Sequence, residues 1–292
     1  MDEVPADLPT DLPTDLAEHL EIRRGRARLA ATRRGSGPRH MVFLHSGVTD
    51  RRSWDGVMDL LSPGTDALAY DRRGFGTTAY KPERHDQVAD LLAVLDVLDG
   101  PGPPRTVLVG NSRGGQIALD AALLHPGRFP ALVLVAPAVS GAPAVDNSEI
   151  DAATAAIWAN LEAADAAGAL DALNIGEIRL WLDGPAAPEG RVDGPRRQLA
   201  LDMNRIALHA ESPGPEPDPP DTWSRLSEVT CPVLVVAGDL DLPHIQQNCA
   251  YLADHLPGGQ LVVMEGTAHL PAFEQPERFV AVVEDFLSRH QL

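Results

Sequence analysis

Along most of its length the chain alternates short, largely apolar runs with longer segments of helical period, and this alternation limits the fold more than any other feature. Apart from His40, His45, Arg105 and Gln260 at their ends, the runs at residues 40–45, 67–70, 105–109, 131–136, 232–237 and 260–264 are apolar or β-branched, the pattern of strands buried on both faces. Between them, residues 52–61, 86–98, 112–124, 244–255 and 276–290 read as helices, the last opening with Pro276 and Glu277 in its first turn. Strands of this kind interleaved with helices predict an α/β fold, a mostly parallel, doubly wound sheet with helices on both faces. Residues 20–32 read as a hairpin ahead of it.

The alternation breaks between residues 140 and 227. Residues 151–167, 175–182 and 196–210 look helical, and the Pro-rich stretch 213–220 cannot continue any helix. This predicts a core formed by residues 20–139 and 228–292, with a helical cap and its return linker, residues 140–227, inserted after the sixth strand. An insertion there sits over the crevice where open α/β sheets bind ligands, so the cap is expected to act as a lid. Residues 1–19 repeat Asp-Leu-Pro-Thr at positions 7–10 and 11–14 and read as a disordered or loosely packed leader. They lack the basic and apolar regions of a signal peptide.

Charge and cysteine content narrow the function classes. Lys and Arg number 24 against 42 Asp and Glu, a net charge of −18, which repels phosphate backbones and anionic lipid. Neither a nucleic acid nor a membrane is an expected partner, and no apolar run approaches the roughly 20 residues of a membrane span. The seven arginines from Arg23 to Arg39 read as the solvated face of the hairpin. Two cysteines, Cys231 and Cys249, are too few for a disulfide framework, which suits a reducing, cytoplasmic setting.

The strongest chemical signal is Gly110-Asn111-Ser112-Arg113-Gly114, followed by Gly115, between the apolar strand and a helical run. A strand-to-helix turn this tight strains its apex residue and exposes the Ser112 hydroxyl above a helix N-terminus, while small flanking residues avoid collision. A serine hydroxyl needs a positioned base, and the base needs a carboxylate to hold its tautomer. Downstream, the strand at 233–237 ends in Gly238-Asp239-Leu240-Asp241, and the strand at 260–264 ends in Glu265-Gly266-Thr267-Ala268-His269. Both deliver polar groups to the same sheet edge. Asp241 is the expected acid, with Asp239 and Asp146 as substitutes, and His269 is the expected base. The order Ser, Asp, His is the one this architecture requires.

On these residues the chain resembles the α/β-hydrolase fold superfamily, in its capped esterase, lactonase and carbon–carbon-bond hydrolase branch, over residues 20–290. Leu44-His45-Ser46-Gly47 is similar to the family's His-Gly oxyanion loop, and Tyr70-Asp71-Arg72-Arg73-Gly74-Phe75-Gly76 to its Asp-x-Arg-Gly-x-Gly turn. His269-Leu270-Pro271 through Glu274-Gln275-Pro276-Glu277-Arg278-Phe279 resembles its C-terminal histidine motif. The resemblance implies the backbone N–H groups of Gly47 and Arg113 as oxyanion donors. It departs from the family at Ser46, which replaces a glycine, and at Arg113, which replaces an apolar residue. Arg113 is expected to face a protein carboxylate such as Asp71 or Asp50, the alternative being a substrate carboxylate. A serine at 112 argues against epoxide and halide chemistry, for which family members use aspartate. His45 is expected to be a structural histidine bonding the oxyanion loop, and Arg72 and Arg73 to be ion-pair partners within their turn.

Trp54, Trp158, Trp181, Met203, Leu242 and Leu270 are the candidate substrate contacts. No dinucleotide fingerprint, Walker loop, His-Glu-x-x-His or zinc-type Cys/His spacing is present, so no cofactor or metal is expected. The expected function is a serine hydrolase that cleaves a small or medium ester or lactone, a small-molecule substrate, through an acyl-enzyme. The same triad also serves vinylogous diketones, thioesters and amides. A slow-turnover small-molecule binding protein is the rival from another class.

Overall fold

The computed structural model describes residues 17–99, 105–144 and 150–292. Eight strands form one sheet in the order β1-β2-β4-β3-β5-β6-β7-β8. Strands β1 (Glu18–Arg24) and β2 (Ala27–Arg34) make an antiparallel hairpin, and β2 pairs antiparallel with β4 (Thr65–Tyr70). All other pairings are parallel, among β3 (Arg39–Leu44), β4, β5 (Thr106–Asn111), β6 (Leu132–Val135), β7 (Val233–Gly238) and β8 (Gly259–Met264). Every residue of β4, β5, β6 and β7 is buried, as their largely apolar runs require, and the charged exception, Asp66 of β4, is paired with Arg33.

Alternate side chains of the central strands enter different cores. Val42 and Leu44 of β3 join the layer under α2 (Gln87–Asp99), α3 (Arg113–Leu124) and α7 (Pro243–His255), whereas Met41 and Phe43 join that under α1 (Asp55–Met58) and α9 (Pro276–Arg289). Trp54 belongs to the second layer. Its ring centroid lies 5.2 Å from that of Phe43 and 6.1 Å from that of Phe279, and it is 2% exposed. It is therefore a core residue on the face opposite α3 and not a substrate contact. Its segment is also shorter than the helix expected at 52–61: a 3-10 turn (Arg51–Trp54) capped by Asp50 leads into the single α-helical turn of α1.

The hairpin begins at Glu18, so residues 18 and 19 are strand and not leader; the rest of the expected leader, up to residue 16, and Asp146 lie outside the described residues. Several of the arginines between Arg23 and Arg39 are ion-paired as well as solvated. Arg33 clasps Asp66 through two bonds of 2.8 and 2.6 Å, and Arg39 reaches Glu284 at 2.7 Å.

Between β6 and β7 the described residues hold α4 (Ala152–Ala166), α5 (Leu170–Ile178), a π-helical turn (Arg179–Asp183) and α6 (Gly194–Leu208). Asp151 caps α4 by accepting the N–H groups of Ala153 and Thr154, and Pro195 sits in the first turn of α6, where a missing N–H costs nothing. The helix expected at 175–182 is split, because the chain leaves α-helical hydrogen bonding at Arg179. The Pro-rich return runs over the body, where Pro213 and Pro215 accept the N–H groups of Glu83 and His85. Among the described residues, no helix is long and apolar enough to cross a membrane. Two more elements complete the chain: the short α8 (Pro271–Glu274) and α9 follow β8.

Candidate active site

Strand β5 runs straight into α3, and the turn between them is Ser112. Its backbone sits at φ +53°, ψ −115°, a region L-residues occupy only when the surroundings force it. The surroundings here are explicit: the Ser112 N–H donates to Val135 and its carbonyl accepts from Gln116 and Ala138. Three glycines allow the helix to press this close. A Cβ on Gly110 would strike the Gly114 carbonyl, and one on Gly114 would strike the backbone carbonyls of Leu44 and His45. The close approach at Gly114 brings the first turn of α3 against the end of β3, from which the 45–47 loop departs. Ser112 remains partly exposed.

His269 and Asp241 arrive from the ends of β8 and β7. His269 Nδ1 and Asp241 Oδ2 are 2.7 Å apart, with both side chains buried, and the other Asp241 oxygen accepts the Leu242 N–H at 2.8 Å. Nδ1 is the donor in this pair, which leaves Nε2 as the acceptor. Asp239 is exposed and occupied elsewhere, accepting the Gly266 N–H at 2.6 Å; Asp241 is the carboxylate on His269. The side chain of Asn111, the residue before Ser112, donates to the His269 carbonyl at 3.1 Å and so ties the histidine loop to the strand that carries the serine.

The 45–47 loop is held from below. His45 is fully buried, its Nδ1 bonds the Ser46 carbonyl at 2.7 Å, and its Nε2 accepts the Arg72 N–H at 3.1 Å. Burial, reinforced by the neighbouring Arg72 charge, holds its pKa well below the usual histidine value. The N–H of Gly47 has no acceptor among the described residues, and the space above its Cα is open.

Arg113 does not face Asp71 or Asp50. It bonds Glu216 of the return linker at 2.8 Å and Gln116 at 2.8 Å, while Asp71 pairs with Arg51 and Asp50 with Arg52. The physical reason is reach: the linker crosses directly over the start of α3 and brings its own carboxylate. Arg73 pairs with Asp90 and Glu83 as expected of a turn arginine, but Arg72 pairs with no carboxylate among the described residues.

Three candidate contacts border two adjoining pockets beside α4 that share Ile150 and His244: Leu242 lines one, and Trp158 and Trp181 line the other. The Trp181 ring packs 4.5 Å from the His269 ring and edge-on to Trp158 at 6.1 Å. Met203 and Leu270 lie outside both pockets. Met203 is fully buried with its sulfur 3.4 Å from the Asp50 N–H, and Leu270 packs with Ile178, Leu182 and Ala200. Both fasten the inserted helices to loops of the site. Sequence reasoning missed His244, on the wall of both pockets, and Glu274, which accepts the Ala268 N–H at 2.9 Å and also pairs with Arg191. Burial raises the Glu274 pKa. The spacing of Glu274 from His269 was the only available signal. Among the described residues, no group of His, Cys, Asp and Glu could hold a metal ion, and burial pushes the Cys231 thiol up to about 11.

Comparison with known proteins gives the same fold. A pimeloyl-[acyl-carrier protein] methyl ester esterase of Aeromonas hydrophila is 25% identical over 278 residues, covering 89% of this chain and 99% of the esterase. A 2-hydroxymuconate semialdehyde hydrolase of Pseudomonas sp. strain CF600 is 28% identical over 267 residues, covering 87% of this chain and 84% of that enzyme. The solved structure of a thermophilic esterase from Thermogutta terrifontis superposes with a TM-score of 0.72 at 23% identity, covering 95% of this chain and all of the esterase. The model of the alpha/beta hydrolase family matches residues 41–282, and the chain belongs to that family of enzymes.

Proposed function

We propose that the protein is a serine hydrolase that cleaves a small or medium carboxylic ester or lactone through an acyl-enzyme. Ser112 Oγ attacks the carbonyl carbon, His269 Nε2 takes its proton and then delivers it to the leaving oxygen, and Asp241 holds the imidazolium that forms. The Gly47 and Arg113 N–H groups receive the developing oxyanion, each such donor being typically worth about 10² to 10³ in rate. Water activated by His269 then releases the acid and restores the serine. Residues 140–227 act as the lid, with the pockets at Trp181 and Leu242 taking the apolar part of the substrate.

The observation that carries this reading is the buried His269–Asp241 pair at 2.7 Å, tied through Asn111 to a serine held at positive φ. The relatives named as a methyl ester esterase and a semialdehyde hydrolase support the same class of chemistry. The test is intact-mass spectrometry of wild-type and Ser112→Ala protein after exposure to a fluorophosphonate, beside a p-nitrophenyl ester chain-length series. One adduct on the wild type alone, with turnover of short or medium esters, is expected. Absence of both would leave a binding protein as the better reading.

A further inference from the structure

Beneath the 45–47 loop lies a cation that forms no ion pair among the described residues. Arg72 is 4% exposed, and its neighbours in the chain are committed elsewhere, Asp71 to Arg51 and Arg73 to Asp90 and Glu83. Its guanidinium lies over the Phe75 ring at 4.4 Å, and its Nε is buried without a partner. Burial lowers its pKa to about 10, so it stays charged at neutral pH. A buried, unpaired guanidinium is costly to keep. Its one strong hydrogen bond shows what it does: Nη2 donates to the Ser46 carbonyl at 2.8 Å.

That carbonyl belongs to the peptide whose N–H is Gly47. In a trans peptide the C=O and N–H vectors point in opposite directions, and the described residues contain no cis bond. Two donors, Arg72 Nη2 and His45 Nδ1, converge on the Ser46 oxygen from one side, which aims the Gly47 N–H to the other. The Arg72 backbone N–H also holds His45 Nε2, so the same residue sets the tautomer of its co-donor. A carbonyl that accepts from a cation polarises its own amide and makes the N–H a stronger donor.

We propose that Arg72 is a positioning residue of the oxyanion hole: with His45 it clamps the Ser46 carbonyl, aims and polarises the Gly47 N–H, and, in no direct ion pair, favours negative charge on the substrate oxygen. The inference rests on the serine-hydrolase reading above. The clamp acts where charge develops, so it lowers the barrier to reaction and leaves substrate binding largely unchanged.

The experiment compares wild type, Arg72→Met and Arg72→Gln on a p-nitrophenyl ester and on the matching thionoester, whose sulfur accepts hydrogen bonds weakly. Arg72→Met is expected to lose roughly 30- to 100-fold in kcat on the oxygen ester, with KM within about twofold and a much smaller loss on the thionoester. Arg72→Gln, which keeps a donor but not the charge, should fall between, and it carries the test should Arg72→Met not fold. Full kcat in a folded variant, or equal losses on the two esters, overturns the clamp while wild-type turnover and labelling at Ser112 stand. If the wild type is not labelled at Ser112, the hydrolase reading and the clamp fall together.

Discussion

The side chain of Asn111 bridges the two halves of the site, donating to the carbonyl of His269 at 3.1 Å and to that of Val135 at 2.9 Å. A buried amide in this place does what packing alone could not, since it fixes the histidine loop relative to the residue next to Ser112. Asn111→Leu keeps the volume but leaves the buried His269 carbonyl without its donor, at roughly 1–3 kcal/mol, while the Val135 carbonyl still accepts the Ser112 N–H. Denaturant unfolding should show a loss of about 1–3 kcal/mol, and kcat should fall more than KM rises. Unchanged kcat in a folded variant would separate the bridge from the chemistry.

Asp241→Asn tests the orientation of the base. The amide fits the same space but can present its NH2 group to His269 Nδ1, which favours the tautomer with the proton on Nε2, the wrong one for accepting from serine. A drop of about 10³ to 10⁴ in kcat is expected with little change in thermal stability. Asp239→Asn, on the exposed carboxylate that caps Gly266, should leave kcat within about threefold. Equal effects at the two positions would count against the assignment.

How far the sequence discloses such a site depends on the range of the interaction. The buried strands, the turn at Ser112 and the arrival of Asp241 and His269 at one edge follow from local rules, because an apolar run, a glycine pair and a strand end are each written in contiguous residues. The face chosen by Trp54 was not legible. Its segment is apolar on one side, but nothing nearby says that this side meets Phe43 and Phe279 and not the pockets beside α4. Arg113 does face a protein carboxylate, but which one was not legible for the same reason, since Glu216 is 103 residues away in a linker with no periodic pattern. The isolation of Arg72 is a property of the folded neighbourhood and has no sequence signature. Residues 18 and 19 were assigned to the leader because the edge strand β1 buries only Ile22 fully.

Asp71 gives the stability a pH dependence of predictable sign. Burial raises its pKa from 3.8 to about 6, against the opposing pull of Arg51. Between those values the folded state holds a proton that the unfolded state has released, so this group's contribution to stability falls as pH rises from about 4 to about 6. The full swing is up to about 3 kcal/mol. Asp71→Asn lacks the swing, and its stability relative to wild type should improve steadily over that window. Urea unfolding at pH 4, 5 and 6 reads this directly; parallel curves for the two proteins would show that Asp71 titrates normally.

On the proposed esterase reading, Trp181 sets which acyl chains are accepted. Its ring lies against His269 on one side and meets Trp158 on the other, and its carbonyl accepts the His269 N–H at 3.1 Å, so the side chain can be removed without cutting the backbone tie. Trp181→Ala joins the pocket beside α4 to the space over the histidine. The chain-length optimum on p-nitrophenyl esters should move to longer acyl groups, because a longer chain refills the vacated volume and recovers about 0.8 kcal/mol per buried methylene. Acetate should lose roughly tenfold in kcat/KM as His269 loses the ring that packs on it. An unchanged optimum with uniformly lower rates would assign Trp181 to holding the histidine alone, and the pocket would then have to be filled by the leaving group.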